Sequence, residues 1–155
     1  MSDVPAIGIS FRQTIDESAR EIVLQCHISS DCTDEQLNTL LDKLSSAADR
    51  QKAKTHLPTE KNLLDEARES LDRERNNYLL LQAERDLMIS NFQREAESNG
   101  RRKPFMGGQN KQKLDHLNGK IGQSEQSIKV LEKRISSSEN IVAAMEAKVS
   151  FGAEA

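Results

Sequence analysis

Residues 114–149 read LDHLNGKIGQSEQSIKVLEKRISSSENIVAAMEAKV. Apolar residues stand at Leu114, Leu117, Ile121, Ile128, Leu131, Ile135, Val142, Met145 and Val149, and Ser124 and Ser138 fill the two gaps in an unbroken alternation of threes and fours. That spacing is a coiled-coil seam on one helix. A seam needs a partner, and the preceding chain contains one. With Leu57 as heptad position a, the a series is Leu57, Leu64, Leu71, Tyr78, Arg85 and Phe92, and the d series is Glu60, Ala67, Glu74, Leu81, Met88 and Glu95. Three glutamates at d make this the weaker seam.

Between the two seams lie Asn99-Gly100, Pro104 and Gly107-Gly108, which end one helix and delay the next. Folding the chain back there gives an antiparallel hairpin. Phe92 is then expected opposite Leu117, Met88 opposite Ile121, Leu81 opposite Ile128 and Leu64 opposite Met145, with Ser124 facing Arg85. The flanking e positions oppose Lys61 to Glu146, Arg68 to Glu139 and Arg75 to Glu132. Such pairs contribute roughly 0.3–0.5 kcal/mol each and set alignment more than stability. A parallel homodimer through the last helix is the competing arrangement, because β-branched a positions favour two parallel strands. The intrachain hairpin uses both seams and joins them by a short connection, which gives the partner a high effective concentration.

Upstream, Ile7, Ile9, Phe11 and Ile15 alternate with Gly8, Ser10, Arg12 and Thr14, and Ile22, Leu24, Cys26 and Ile28 repeat the period of two. Polar residues 16–20 between them predict a two-stranded β-hairpin. Two strands alone are marginal in water, so the hairpin is expected to lie on a helix or pair with another copy. Thr33-Asp34-Glu35-Gln36 is a capping box, followed by Leu37, Leu40, Leu41, Leu44, Ala47 and Ala48 at helical spacing. This predicts a short amphipathic helix that Pro58 terminates, with the proline opening the next helix. The expected fold is therefore mainly α: residues 1–56 form a base of β-hairpin plus amphipathic helix, and residues 57–151 a long antiparallel coiled-coil hairpin. Its basic tip is expected at 99–110.

Composition agrees with exposed helices. Of 155 residues 35% are hydrophobic, 3% aromatic and 30% charged, with a net charge of -3. No window approaches the ~18 apolar residues of a membrane span, and the N-terminus lacks a basic region followed by an apolar core. A soluble cytoplasmic protein without a membrane partner is the expectation. Two cysteines make no disulfide scaffold, which agrees with a reducing compartment.

The charge is uneven. Arg94, Arg101, Arg102, Lys103, Lys111 and Lys113 stand against Glu95 and Glu97, so residues 94–113 carry +4 and the rest of the chain -7. Arg101, Arg102, Lys103, Phe105, Met106, Lys111 and Lys113 are the candidate partner-binding residues. A positive, partly apolar loop suits an acidic protein surface, or phosphates with Phe105 stacked on a base. An exposed turn is also charged simply because it is exposed. Gly107-Gly108 is no phosphate loop, since no Lys-Ser or Lys-Thr follows.

Cys26, His27 and Cys32 do not complete a zinc site: adjacent strand residues point to opposite faces and no second close pair exists. No triad or paired acid and base is legible, so neither cofactor nor catalysis is expected. The sequence reads as a non-enzymatic interaction or assembly factor, a rigid arm with a basic tip. A nucleic-acid-binding accessory protein and a surface-binding regulator or inhibitor of an enzyme are the alternatives. Leu79, Leu80, Ala83 and Leu87 lie off the main seam, with Val130, Ile141 and Phe151 widening the last helix's apolar face. That surplus predicts self-association as a homodimer.

Overall fold

The computed structural model describes residues 6–14, 21–29, 31–104 and 106–151. Two strands are followed by two helices: β1 (Ala6–Thr14), β2 (Glu21–Ser29), α1 (Asp34–Ser98) and α2 (Gly108–Ser150). The protein is mainly helical, and the two helices pack together. Its contacts divide it into two units, one of Met1–Asn62 with Glu139–Ala155 and one of Leu63–Ser138.

In the first unit β1 and β2 pair antiparallel, with Ile7 opposite Ile28, Ile9 opposite Cys26 and Phe11 opposite Leu24. Gly8, Ser10 and Arg12 are exposed, as alternate positions on one face of a strand must be together. Residues 15–20, expected as the connecting turn, lie outside the described residues. α1 then begins on the capping box. Gln36 N–H donates to Thr33 Oγ1 (3.3 Å), Thr33 N–H donates to Gln36 Oε1 (3.0 Å), and Leu37 N–H reaches Thr33 O at 2.9 Å. Asp34 and Glu35 in the first turn oppose the positive end of the helix dipole.

The expected short amphipathic helix ending at Pro58 is not what forms. α1 is one helix of 65 residues with Pro58 inside it. The proline withholds the hydrogen bond that Lys54 O would accept, a cost of about 3 kcal/mol. The a/d spacing nevertheless runs in phase through Ala53, Leu57, Glu60 and Leu64, and Ala53 and Leu64 are both buried. A buried leucine contributes about 1.5–3 kcal/mol, so keeping Leu64 in phase offsets a loss of the same order as the missing bond. Thr55 Oγ1 donates to Gln51 O one turn earlier (3.0 Å), as a helical threonine can.

The second unit is the coiled coil proper. Leu64, Ala67 and Leu71 of α1 and Leu117, Ile121, Ser124 and Ile135 of α2 are buried. Its register differs from the expected one. Ser124 Oγ donates to Glu74 Oε1 at 2.6 Å. Opposite Arg85, Ser124 would stand eleven residues from Glu74, about 16 Å along the axis. The two side chains and the bond between them span about 10 Å fully stretched. Sliding α2 by one heptad keeps both seams facing and cuts the offset to about 6 Å. In that register Ile121 would lie level with Leu81, Ser124 with Tyr78, Leu131 with Leu71 and Ile135 with Ala67.

The slip changes which residues meet. The expected register set Ser124 against Arg85 and Ala67 against Val142; the slipped one would give Ser124 to Tyr78 and Ala67 to Ile135, so small residues still face large ones. The first unit shows the same displacement: Asp49 and Arg50 line one recess with Ala147 and Lys148. In the expected register Ala147 would be level with Asn62, about 18 Å beyond Arg50. The ion pairs Lys61–Glu146 (2.7 Å) and Arg75–Glu132 (2.9 Å) are present, and in the slipped register both run diagonally along the helices. Arg68 pairs with Asp65 at 3.5 Å.

Two outcomes follow from this architecture. Pro58→Ala restores a backbone hydrogen bond inside a continuous helix, and is expected to stabilise the protein by about 1–3 kcal/mol in thermal unfolding followed by circular dichroism. A fall in stability would mean that a helix starts at the proline. For the register, in a chain with Cys26 and Cys32 changed to Ser, Leu81→Cys with Ile121→Cys should oxidise to an intrachain disulfide. Met88→Cys with Ile121→Cys should not, because a disulfide needs Cα atoms within about 7 Å.

Candidate functional site

The candidate site is the turn that joins the two helices of the second unit. α1 stops on a Schellman motif: Arg101 N–H donates to Ala96 O (2.8 Å) and Gly100 N–H to Glu97 O (3.0 Å). Gly100 has φ 69°, a left-handed conformation that glycine adopts without the Cβ penalty. Asn99 N–H is shared between Glu95 O and Ala96 O, and Ser98 Oγ also donates to Glu95 O, so the last carbonyls of α1 are satisfied locally. Gly108, with φ 57°, opens α2.

The connecting segment runs between these two glycine-dependent ends. Arg101, Arg102 and Lys103 are exposed in succession, Pro104 is half-buried and Met106 is 40% exposed. Lys111 and Lys113 are exposed near the start of α2, so the structure brings six of the seven candidate residues to one turn. The seventh, Phe105, lies outside the described residues. Among the described residues none of these cations forms an ion pair. That contrasts with Lys61, Arg75, Arg85 and Lys129, which all do.

The helix dipoles add to the imbalance. α1 ends without a basic residue in its last turn, carrying Glu95 and Glu97 where the helix end is already negative. α2 begins without an acidic residue in its first turn, carrying Lys111 where the end is already positive. Each mismatch costs about 0.3–1 kcal/mol in the free protein. The cationic start of α2 and the three exposed cations before it therefore add up to one positive surface, with Met106 supplying an apolar contact.

Sequence reasoning missed a recess of about 130 Å³ beside this turn, lined by Phe92, Glu95, Ala96, Asn99, Arg101 and Asn110. Its signal was Ala96, a small residue on the flank of the seam that is 5% exposed. Sequence reasoning also missed the Ser124–Glu74 bond, because it placed Ser124 against Arg85. Among the described residues no three His, Cys, Asp or Glu side chains gather as metal ligands. Cys32 Sγ lies 3.6 Å from Thr33 O at the start of α1. No helix among the described residues is long and apolar enough to cross a membrane.

No protein-family model, no curated protein and no solved structure matches this chain. Its function is accordingly argued from its own residues.

Lys111→Glu tests the charge mismatch directly. Placing a carboxylate in the first turn of α2 is expected to raise stability by about 0.3–1 kcal/mol, measured by urea unfolding. An unchanged or lower midpoint would mean that the lysine already has a compensating partner in the folded protein.

Proposed function

We propose that the protein is a non-enzymatic interaction factor, in which the coiled coil of the second unit presents the basic turn to an acidic surface on a protein partner. One observation carries this reading: Arg101, Arg102 and Lys103 are exposed together beside Met106, and no carboxylate among the described residues pairs with them. Elsewhere on the same helices Lys61, Arg68, Arg75 and Lys129 are exposed and each pairs with a glutamate or aspartate. The Schellman motif also fixes the backbone at Arg101, where the run of cations begins. A protein surface is favoured over a nucleic acid by the overall charge of -3, with -7 outside residues 94–113. That remainder repels a polyanion that extends beyond the turn.

The test is affinity purification from the native host with nuclease treatment. It compares the wild-type chain with Arg101→Ala/Arg102→Ala/Lys103→Ala and, separately, with Met106→Ala. Proteins recovered with the wild type in the presence of nuclease should be lost with the triple variant and reduced with Met106→Ala. Should the triple variant retain its proteins, the turn is only a connection. Should nuclease alone release them, the anionic partner is a nucleic acid, and binding should then fall steeply with salt.

A further inference from the structure

On the side of α1 facing away from the seam, three large apolar side chains stand in solvent: Leu79 is 61%, Leu80 70% and Leu87 59% exposed. All lie within the second unit, and α2 covers none of them. Exposed apolar residues grouped along one helix face mark an interaction surface. Their surroundings indicate what that surface fits. At 100° per residue, Leu79, Ala83 and Leu87 share a stripe with Asp72 and Asn76 on one side and Ser90 and Arg94 on the other. The offsets from Ala83 are symmetrical at four, seven and eleven residues. The chemistry is complementary about the same point, with leucine at both fours, a small polar residue at both sevens, and an acid and a base at the elevens.

From this pattern we infer that the outer face of α1 between Asp72 and Arg94 is an isologous interface with a second copy of this chain, the two helices running antiparallel across a two-fold axis at Ala83. In that arrangement Ala83 meets its own copy, and its small side chain lets the helices approach. Leu79 packs on Leu87 of the second copy twice, Asn76 meets Ser90 twice, and Asp72 meets Arg94 twice. Asp72 and Arg94 are both exposed, and neither has a charged partner among the described residues. A parallel pairing would instead set Asp72 against Asp72 and Arg94 against Arg94, so charge selects the antiparallel sense. One step further out the complementarity stops, with Glu69 facing Glu97. The interface therefore covers the stretch from Asp72 to Arg94, about 33 Å of helix.

This inference is independent of what the basic turn binds, though it has a consequence for it. Gly100 lies seventeen residues beyond Ala83, so an antiparallel pair carries its two basic turns at opposite ends, roughly 50 Å apart. A dimer built this way is bivalent.

Sedimentation equilibrium of the full-length chain is the primary test, with circular dichroism to confirm that each variant stays helical. The wild type is expected to dimerise, and Leu79→Glu/Leu87→Glu to be monomeric with its helix content intact. Asp72→Arg should weaken the dimer roughly ten- to thirty-fold, because two attractive pairs become repulsive. Asp72→Arg/Arg94→Asp should restore it to within about threefold, since each position again meets its opposite. In a chain with Cys26 and Cys32 changed to Ser, Ala83→Cys should form an intermolecular disulfide readily and Leu79→Cys should not. A monomeric wild type, a charge swap that fails to rescue, or equal cross-linking at both positions would each overturn the proposal.

Discussion

The second unit depends on how two heptad seams resolve an ambiguity that their periodicity leaves open. A heptad repeat looks the same to its partner after every seven residues, so α2 has several positions along α1 in which apolar residues still face each other. The hydrogen bond from the buried Ser124 to Glu74 belongs to one of them. Glu74 stands at a seam position where a carboxylate would otherwise be an awkward neighbour for Ile128. Bonded to Ser124, it has a partner at the buried edge, and its remaining oxygen can stay near water. The charged flanks discriminate poorly. Lys61, Arg68 and Arg75 recur every seven residues, as do Glu125, Glu132, Glu139 and Glu146, and each long cation can reach a glutamate in either of two adjacent registers. The polar bond between Ser124 and Glu74 discriminates more sharply.

The continuity of α1 follows from a similar competition. Proline is a strong local signal against a helix interior, and Pro58 has Thr59 and Glu60 after it, as a helix start would. Terminating the helix there would change the phase between Ala53 and Leu64, two positions that the structure buries. The cost of one absent hydrogen bond is of the same order as that of exposing such residues. Upstream of residue 50 the apolar stripe through Leu44, Ala47 and Ala48 lies about one residue out of phase with the a/d positions. A single helix thus carries two differently directed stripes, which is what made the sequence read as two helices.

The basic turn contrasts with the rest of the molecule. The end of α1 is satisfied in its hydrogen bonds, yet the charges at both helix ends oppose the dipoles, and three adjacent cations form no ion pair among the described residues. Stability alone would favour acids at the start of α2 and bases at the end of α1. The α2 side of this reversal, with Lys111 at a positive helix end, adds to the positive charge of the turn at a cost to the free protein. The outer stripe of α1 shows the same relation in apolar form, with leucines exposed where folding of one chain does not need them.

Much of this was legible from residues 33–36, 99–100 and 114–149 alone, because caps and seams are written in spacings of three and four within one element, and local geometry reads them directly. The capping box at Thr33, the stop at Gly100, the helical nature of both seams and the gathering of cations at the turn are all of this kind. Whether the chain passes straight through Pro58, and which of the equivalent heptads meet, were decided only in the folded molecule. Both choices compare energies between residues far apart in the chain. A repeat identical to itself every seven residues holds no information about its own offset until a bond such as that between Ser124 and Glu74 brings two particular side chains together.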